Sequence, residues 1–348
     1  MKAMTRDLYG SADVLALNDV EMPVVGDDEV LIRVHAAGVG PDVWHLLTGR
    51  PYLVRLMGVG LRRPKNRIVG MDVAGTVEAT GKDATRFHQG DEVFGVCAGA
   101  FAEYACAGAE KLAPKPANLT FEQAAAVPVS GCAALHALRD EGRIQAGQSV
   151  LIIGASGGVG TFAVQLAKAF GAQVTGVCST TKVDLVRSLG ADRVIDYTRE
   201  DFAAGMHRYD LIVDTAGRRP LSHLRRALAP RGTLVIVGGE GGGRWAGGFD
   251  RQIRAVLLSP FVRQRPRSLI STERSEDLMA LKELIEAGRV TPVVDRTFPL
   301  GDAAKALSDA DEGHGRGKAV ITVCSGERAY FPAATSAARP DAPRTGRL

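Results

Sequence analysis

Cysteine is sparse and scattered. Cys97, Cys106, Cys132, Cys178 and Cys324 are odd in number and include no CxxC pair, which argues against a disulfide framework and fits a reducing compartment. No uncharged run reaches the roughly 18 residues that cross a bilayer. The start, MKAMTRDLYG, lacks the apolar stretch of a secretory signal. Neither sign of charge dominates: the net charge is +4 and dispersed, too modest to point to nucleic acid. The expectation is a cytoplasmic protein with no membrane and no nucleic-acid partner. Its 348 residues suffice for two domains with their own cores.

One stretch organises the rest. Residues 148–170 read QSVLIIGASGGVGTFAVQLAKAF. Positions 150–153 are a short apolar run suited to a strand buried on both faces. A glycine turn follows, and then Val159, Phe162, Ala163, Leu166, Ala167 and Phe170 recur at helical spacing. Strand, turn and helix together predict a dinucleotide pyrophosphate site. Glycines let the main chain approach the ligand, and the helix N-terminus offers unpaired N–H groups and a partial positive charge. The fingerprint is imperfect, since Ala155 replaces its first glycine while Gly157 and Gly160 keep their places. The flanking strand and helix carry the assignment.

A second strand is expected at 173–178 (QVTGVC), ending about 20 residues past the glycines. An NAD enzyme usually carries Asp or Glu there for the adenosine ribose. Here the run is Cys178-Ser179-Thr180-Thr181-Lys182. A carboxylate would repel a 2′-phosphate, whereas hydroxyls and a lysine would hold it. NADPH is therefore favoured over NADH. The competing reading is that Ser179 and Thr180 only cap a helix beginning near Lys182.

Before this unit the chain reads as short strands punctuated by glycine: 30–35, 73–79, 91–96 and 101–105. Residues 38–67 between them look long and irregular, able to line a pocket. Thr120-Phe121-Glu122-Gln123 has the form of a capping box that opens a helix. After it, strands at 193–196, 210–214 and 233–237 alternate with helices, the pattern of a doubly wound parallel sheet. Residues 238–248 form a glycine-rich loop just past a strand end. Amphipathic helix 275–287, strand 293–298, helix 302–309 and strand 318–323 close the folded part. The Ala/Pro/Arg-rich remainder, 325–348, reads as disordered.

The order of these pieces resembles the medium-chain dehydrogenase/reductase superfamily, in its zinc-free quinone-oxidoreductase-like branch, over roughly residues 1–323. The resemblance rests on AAGVGPDVWHLLTG (36–49), GMDVAGTVEATG (70–81), GDEVFG (90–95), FAEYA (101–105), AAAVPVSGCAAL (124–135), ASGGVG (155–160), LGADRVIDY (189–197), DTAG (214–217) and RGKAVI (316–321). It implies an α/β protein. A GroES-like, β-rich catalytic domain (1–125 and 268–324) would join a Rossmann cofactor domain with a doubly wound parallel sheet (126–267). The active site would lie in the cleft between them.

Zinc-dependent alcohol dehydrogenases of this superfamily carry a Cys where this chain has Gly40, and a His-Glu pair where it has Met71-Asp72. Their structural lobe needs four cysteines, and the matching region holds only Cys97 and Cys106. No metal is expected. Without a Lewis acid, reduction of a quinone or an activated C=C is easier than alcohol oxidation. Charge then builds on a carbonyl oxygen that needs donors and a proton. Tyr52, His45 and Lys65 in the irregular region are the candidates, with Tyr52 first because related proteins place a tyrosine near it. Asp42 would hold the cofactor ribose, orient His45, or cap a helix.

For the cofactor, the resemblance implies Ser156, Gly157, Gly158, Val159 and Gly160 at the pyrophosphate, Ser179 and Lys182 at the 2′-phosphate, and Tyr197 on the adenosine side. Ser130, Thr215, Gly238, Gly239 and Glu240 would meet the nicotinamide half, Phe261 the carboxamide, and Lys318 the cofactor nearby. The leading expectation is an NADPH-dependent reductase of quinones or α,β-unsaturated carbonyl compounds. Alternatives are a 2-enoyl thioester reductase, with basic residues 62–67 holding a phosphate, or a non-catalytic NADPH-binding sensor. A homodimer is expected too, with 233–237 as an edge strand that pairs with its twin.

Overall fold

The structure, a computed structural model, describes residues 1–238, 245, 247–259, 262–311 and 315–323. The tail expected to be disordered lies outside them. The first half contributes β1 (Lys2–Thr5), β2 (Ala16–Asp19), β3 (Glu29–Val39), α1 (Pro41–Thr48), β4 (Asp72–Thr80), β5 (Glu92–Val96), β6 (Tyr104–Gly108), β7 (Leu112–Pro114), α2 (Phe121–Ala125) and α3 (Pro128–His136). Then come β8 (Ser149–Ile153), α4 (Gly158–Ala169), β9 (Gln173–Cys178), α5 (Val183–Ser188), β10 (Arg193–Asp196), β11 (Tyr209–Asp214), α6 (Leu221–Ala227), β12 (Leu228–Ile236), α7 (Phe249–Leu258) and β13 (Arg265–Ser268). The chain closes with α8 (Ser275–Glu286), β14 (Val294–Pro299), α9 (Ala303–Asp311) and β15 (Lys318–Thr322).

Among the described residues, β10-β9-β8-β11-β12-β13 form a parallel sheet. A second, mixed sheet runs β14-β15-β3-β4-β5-β7, with β6 also paired to β3. Strand β15 lies antiparallel to β3, so the chain returns to its first sheet after completing the second. Strand β8 is where the parallel order reverses: β9 lies on one side of it and β11 on the other. Ligands of such sheets bind beyond the strand ends at that point. Apolar β8 and the buried face of α4 (Phe162, Ala163, Leu166, Ala167) pack into one core with α3 and α8. A separate core fills the mixed sheet, around Ile32, Val34, Val73 and Leu112.

Three expectations fail here. Residues 38–67 are not wholly irregular: Gly40-Pro41 starts helix α1, and residues 55–59 add a π-turn. Proline at the first helical position costs no hydrogen bond, which is why the helix can begin there. Nor is 233–237 an edge. Strand β12 extends over Leu228–Ile236 and is covered on its far side by β13, with Leu234 opposite Pro266. Strand β6 also begins later than expected, at Tyr104, since Phe101 bonds instead to residues outside it. The capping box is present: Thr120 Oγ1 accepts from Gln123 N at 3.3 Å, and Gln123 Oε1 accepts from Thr120 N at 3.1 Å. No helix among the described residues is long and apolar enough to cross a membrane.

Candidate active site

A cleft of about 480 Å³ opens over the end of β8, with walls from both sheets. Its floor is the glycine turn. Gly154 has φ +81°, a left-handed conformation that only glycine adopts without strain. At Gly160 a side-chain carbon would fall 2.0 Å from the Gly154 carbonyl oxygen, so the turn closes only because none is present. Gly157 precedes α4 in extended conformation, and no side chain caps that helix. Its first N–H groups are left for a ligand, as a pyrophosphate cradle requires. Gly317, from the opposite sheet, donates its N–H to the Ser156 carbonyl at 2.9 Å and walls the turn.

Ser179, Lys182 and Tyr197 line one end of this cleft. Ser179 makes no side-chain cap to the 180–182 turn, so its hydroxyl is not consumed as the capping alternative supposes. Thr180 does not cap either: it donates to Asp196 Oδ2 at 2.6 Å. Asp196, the nearest carboxylate on the neighbouring strand, also accepts from Thr198 N and Thr198 Oγ1. The Thr180 hydrogen bond holds its carboxyl below the usual range. Burial chiefly holds the Lys182 amine below its ordinary pKa; Asp295 opposes this and Arg316 adds to it. Arg218, Arg219 and Arg296 line the cleft as well. Sequence reasoning missed these three, because arginines in loops resemble ordinary solvated charges.

Toward the other end lie Val39, Gly40, Pro41, Ser130, Thr215 and Lys318. Lys318 is not a solvent lysine. Only 4% exposed, its ammonium donates to fully buried Asp72 and, at 3.3 Å, to Ser130 Oγ. The second Asp72 oxygen accepts from Val129 N at 2.8 Å. Burial pushes the Asp72 carboxyl up to about 6, against the pull of Lys318. Burial lowers the Lys318 ammonium, but Asp72 and Asp42 outweigh it and the net direction is up. At neutral pH both partners are charged. Since Lys318 occupies an acceptor position of Ser130, the Ser130 hydroxyl proton turns elsewhere. Its oxygen stands 3.0 Å from where a side-chain carbon of Gly158 would sit, over the start of α4.

Thus Ser130, Ser156, Gly157, Gly158, Val159, Ser179, Lys182, Tyr197, Thr215 and Lys318 share one cleft. Gly160 is buried in the turn beneath it. Gly238 backs onto the Thr215 carbonyl. Gly239, Glu240 and Phe261 lie outside the described residues. Tyr52, His45 and Asp42 are not among the residues lining this cleft. The Tyr52 ring is engaged edge-on with Trp245, 5.3 Å between centroids, under the Arg55 guanidinium. His45 bonds through Nδ1 to the Arg50 carbonyl at 2.8 Å rather than to Asp42. Asp42 sits in the first turn of α1, and its Oδ2 is buried with no hydrogen-bond partner among the described residues. Among those residues no three His, Cys, Asp or Glu side chains converge as metal ligands.

The fit to a nicotinamide dinucleotide is direct. Gly160 lets the turn close, a side-chain carbon at Gly158 would crowd the Ser130 hydroxyl, and hydroxyl and cationic groups line the cleft. Known proteins agree. Residues 26–117 match the alcohol dehydrogenase GroES-like domain and residues 189–321 the zinc-binding dehydrogenase family. The mitochondrial NAD(P)H oxidoreductase RTN4IP1 of Mus musculus is 31% identical, over 93% of this chain and 89% of that protein. The chloroplastic NADPH-dependent alkenal/one oxidoreductase of Arabidopsis thaliana is 33% identical, over 92% and 79%. The quinone oxidoreductase structure from Coxiella burnetii superposes with a TM-score of 0.81 at 29% identity, over 93% of this chain and 99% of that one.

Proposed function

Because the chain belongs to the medium-chain dehydrogenase/reductase superfamily, in its quinone-oxidoreductase-like branch, we propose that it is an NADPH-dependent, zinc-independent reductase of quinones or α,β-unsaturated carbonyl compounds. It is an oxidoreductase and takes a nicotinamide cofactor, which supplies a hydride when bound. The observation that carries the choice of NADPH is the end of β9. Residues 178–182 offer no carboxylate, and the acid on the next strand, Asp196, is bound to Thr180 and Thr198. Ser179 and Lys182 both line the cleft. Gly157, Gly158 and the α4 N-terminus would hold the pyrophosphate, with the Ser130 hydroxyl beside them.

Metal independence is supported by the residues standing at the zinc positions. Gly40 has no side chain, and each Asp72 oxygen is already engaged, one by Lys318 and one by Val129 N. Prolonged dialysis against a strong chelator is expected to leave activity and melting temperature unchanged; activity lost to chelation and restored by zinc would overturn this. The free thiols of Cys97, Cys106, Cys132 and Cys178 support a reducing compartment, and we place the protein in the cytoplasm.

The substrate class is tested with a panel of quinones, enones, aldehydes and enoyl thioesters, followed by NADPH absorbance. Sustained consumption with quinones or enones is expected. Turnover confined to enoyl thioesters, or none at all, would refute the substrate assignment. We also propose a homodimer. With 233–237 in the sheet interior, β10 and β13 are the outer strands of the parallel sheet among the described residues, and we take β13, which covers β12, as the edge that pairs. Arg265 and Arg267 of the two copies would then lie close, so added salt should strengthen the pairing. A monomer mass by light scattering at both low and high salt would rule it out.

A further inference from the structure

At the inner end of the cleft three charges of α1, β4 and β15 meet. Lys318 and Asp72 neutralise one another in a buried contact. Asp42 stands just beyond: a side-chain carbon at Gly40 would lie 2.2 Å from Asp42 Oδ1 and 3.4 Å from Lys318 Nζ. The charge of Asp42 raises the pKa of both members of the pair, which places it within their field. Yet Lys318 gives its hydrogen bonds to Asp72 and Ser130, not to Asp42. Asp42 Oδ2 is buried and accepts no hydrogen bond from the described residues. Glu273 adds a further negative contribution at Lys318. Two carboxyl groups, Asp72 and Asp42, thus stand around one ammonium. The Gly40, Pro41 and Lys318 surfaces of this group line the cleft.

We infer that Asp42 sets a negative field at the nicotinamide end, which favours the oxidised, positively charged ring over the neutral reduced one. This rests on the nicotinamide reading above. Each transfer moves a hydride, one proton with two electrons, from ring carbon to the electrophilic carbon of the substrate. The ring gains a unit positive charge, and the substrate oxygen a negative one that water then protonates. A fixed carboxylate near the ring lowers the energy of that charge separation without reorganising. Asp42 thereby makes the bound cofactor a stronger reductant, without touching substrate. A charge in the first turn of a helix also steadies the helix, and the two roles separate experimentally.

The test compares the affinities of NADP⁺ and NADPH for the full-length protein and its Asp42→Asn variant, by calorimetry or fluorescence. The variant keeps shape and removes the charge. It is expected to raise the ratio Kd(NADP⁺)/Kd(NADPH) on the order of 10-fold, for one charge acting across several ångströms of partly screened protein. Single-turnover hydride transfer should slow in the same direction. A helix-steadying role alone would lower the melting temperature and leave that ratio unmoved, which overturns the inference. Equal tightening of both cofactors would also overturn it, because the charge would then face the pyrophosphate. If Asp42→Asn does not fold, Asp42→Ser is read by the same ratio. Failure of the wild-type protein to bind either cofactor would instead bring down the nicotinamide reading itself.

Discussion

Replacing Lys182 with alanine is expected to raise the KM for NADPH roughly 10- to 150-fold and to leave kcat nearly unchanged, since one hydrogen bond to a charged group is worth about 1.5–3 kcal/mol. The 2′-phosphate sits far from the transferred hydride. It is bound equally before and during the reaction, so its loss weakens binding and not the chemical event. NADH carries no 2′-phosphate, and its kinetics should hardly move. The two cofactors should therefore converge in the variant. The position of Lys182 in the cleft, beside a Ser179 that caps nothing, supports this outcome. Equal weakening toward NADH would mark Lys182 as a general attractor of negative charge. A wild-type preference for NADH would remove the basis of the NADPH assignment altogether.

The strand–turn–helix unit that floors the cleft was legible from the chain because its signals are local. A buried strand, a glycine turn and an amphipathic helix occupy 23 consecutive residues, 148–170, and each is recognisable by its own periodicity. The strand that covers β12 carried no such signal. Arg265-Pro266-Arg267-Ser268 has one apolar side chain, and only Pro266 among the four is buried. Such a segment becomes a strand because β12 offers a parallel edge, not because its composition favours extension. Helix α1 was hidden for a related reason. Gly40-Pro41 looks like a turn, and of the three buried residues only Val43 and Leu47 are apolar.

The least legible feature was the Lys318–Asp72 pair, whose members stand 246 residues apart. A lysine opening a strand reads as solvated, and an acid inside an apolar strand (GMDVAGTV) shows only that something must satisfy it. Which residue does so depends on the return of β15 beside β3, a property of topology. Sequence reasoning therefore singled out Lys318, which lines the cleft, but missed Asp72, its partner. The Arg251–Asp214 pair is similar: Asp214 is fully buried at the end of β11, and its partner comes from α7.

Asp72→Asn is expected to destabilise the protein by about 3–5 kcal/mol, the usual result of leaving one member of a buried ion pair without the other. The amide keeps the shape and can still accept from Val129 N. It cannot balance the Lys318 ammonium, which would retain only Ser130 Oγ and the nearby field of Asp42. At about 2–4 °C per kcal/mol for a domain of this size, the melting temperature should fall by roughly 10 °C. The double variant Asp72→Leu/Lys318→Met should regain most of that loss, because apolar replacement of a whole buried pair is often neutral. Cofactor binding should not return with it. Ser130 would no longer have Lys318 to hold its oxygen, and its hydroxyl would lose its direction over the start of α4. Calorimetric melting with and without saturating NADPH separates the two effects. A single variant that melts within about 1 °C of the wild type would show that the buried ammonium finds compensation elsewhere. A double variant that binds NADPH normally would show that the pair serves the fold alone.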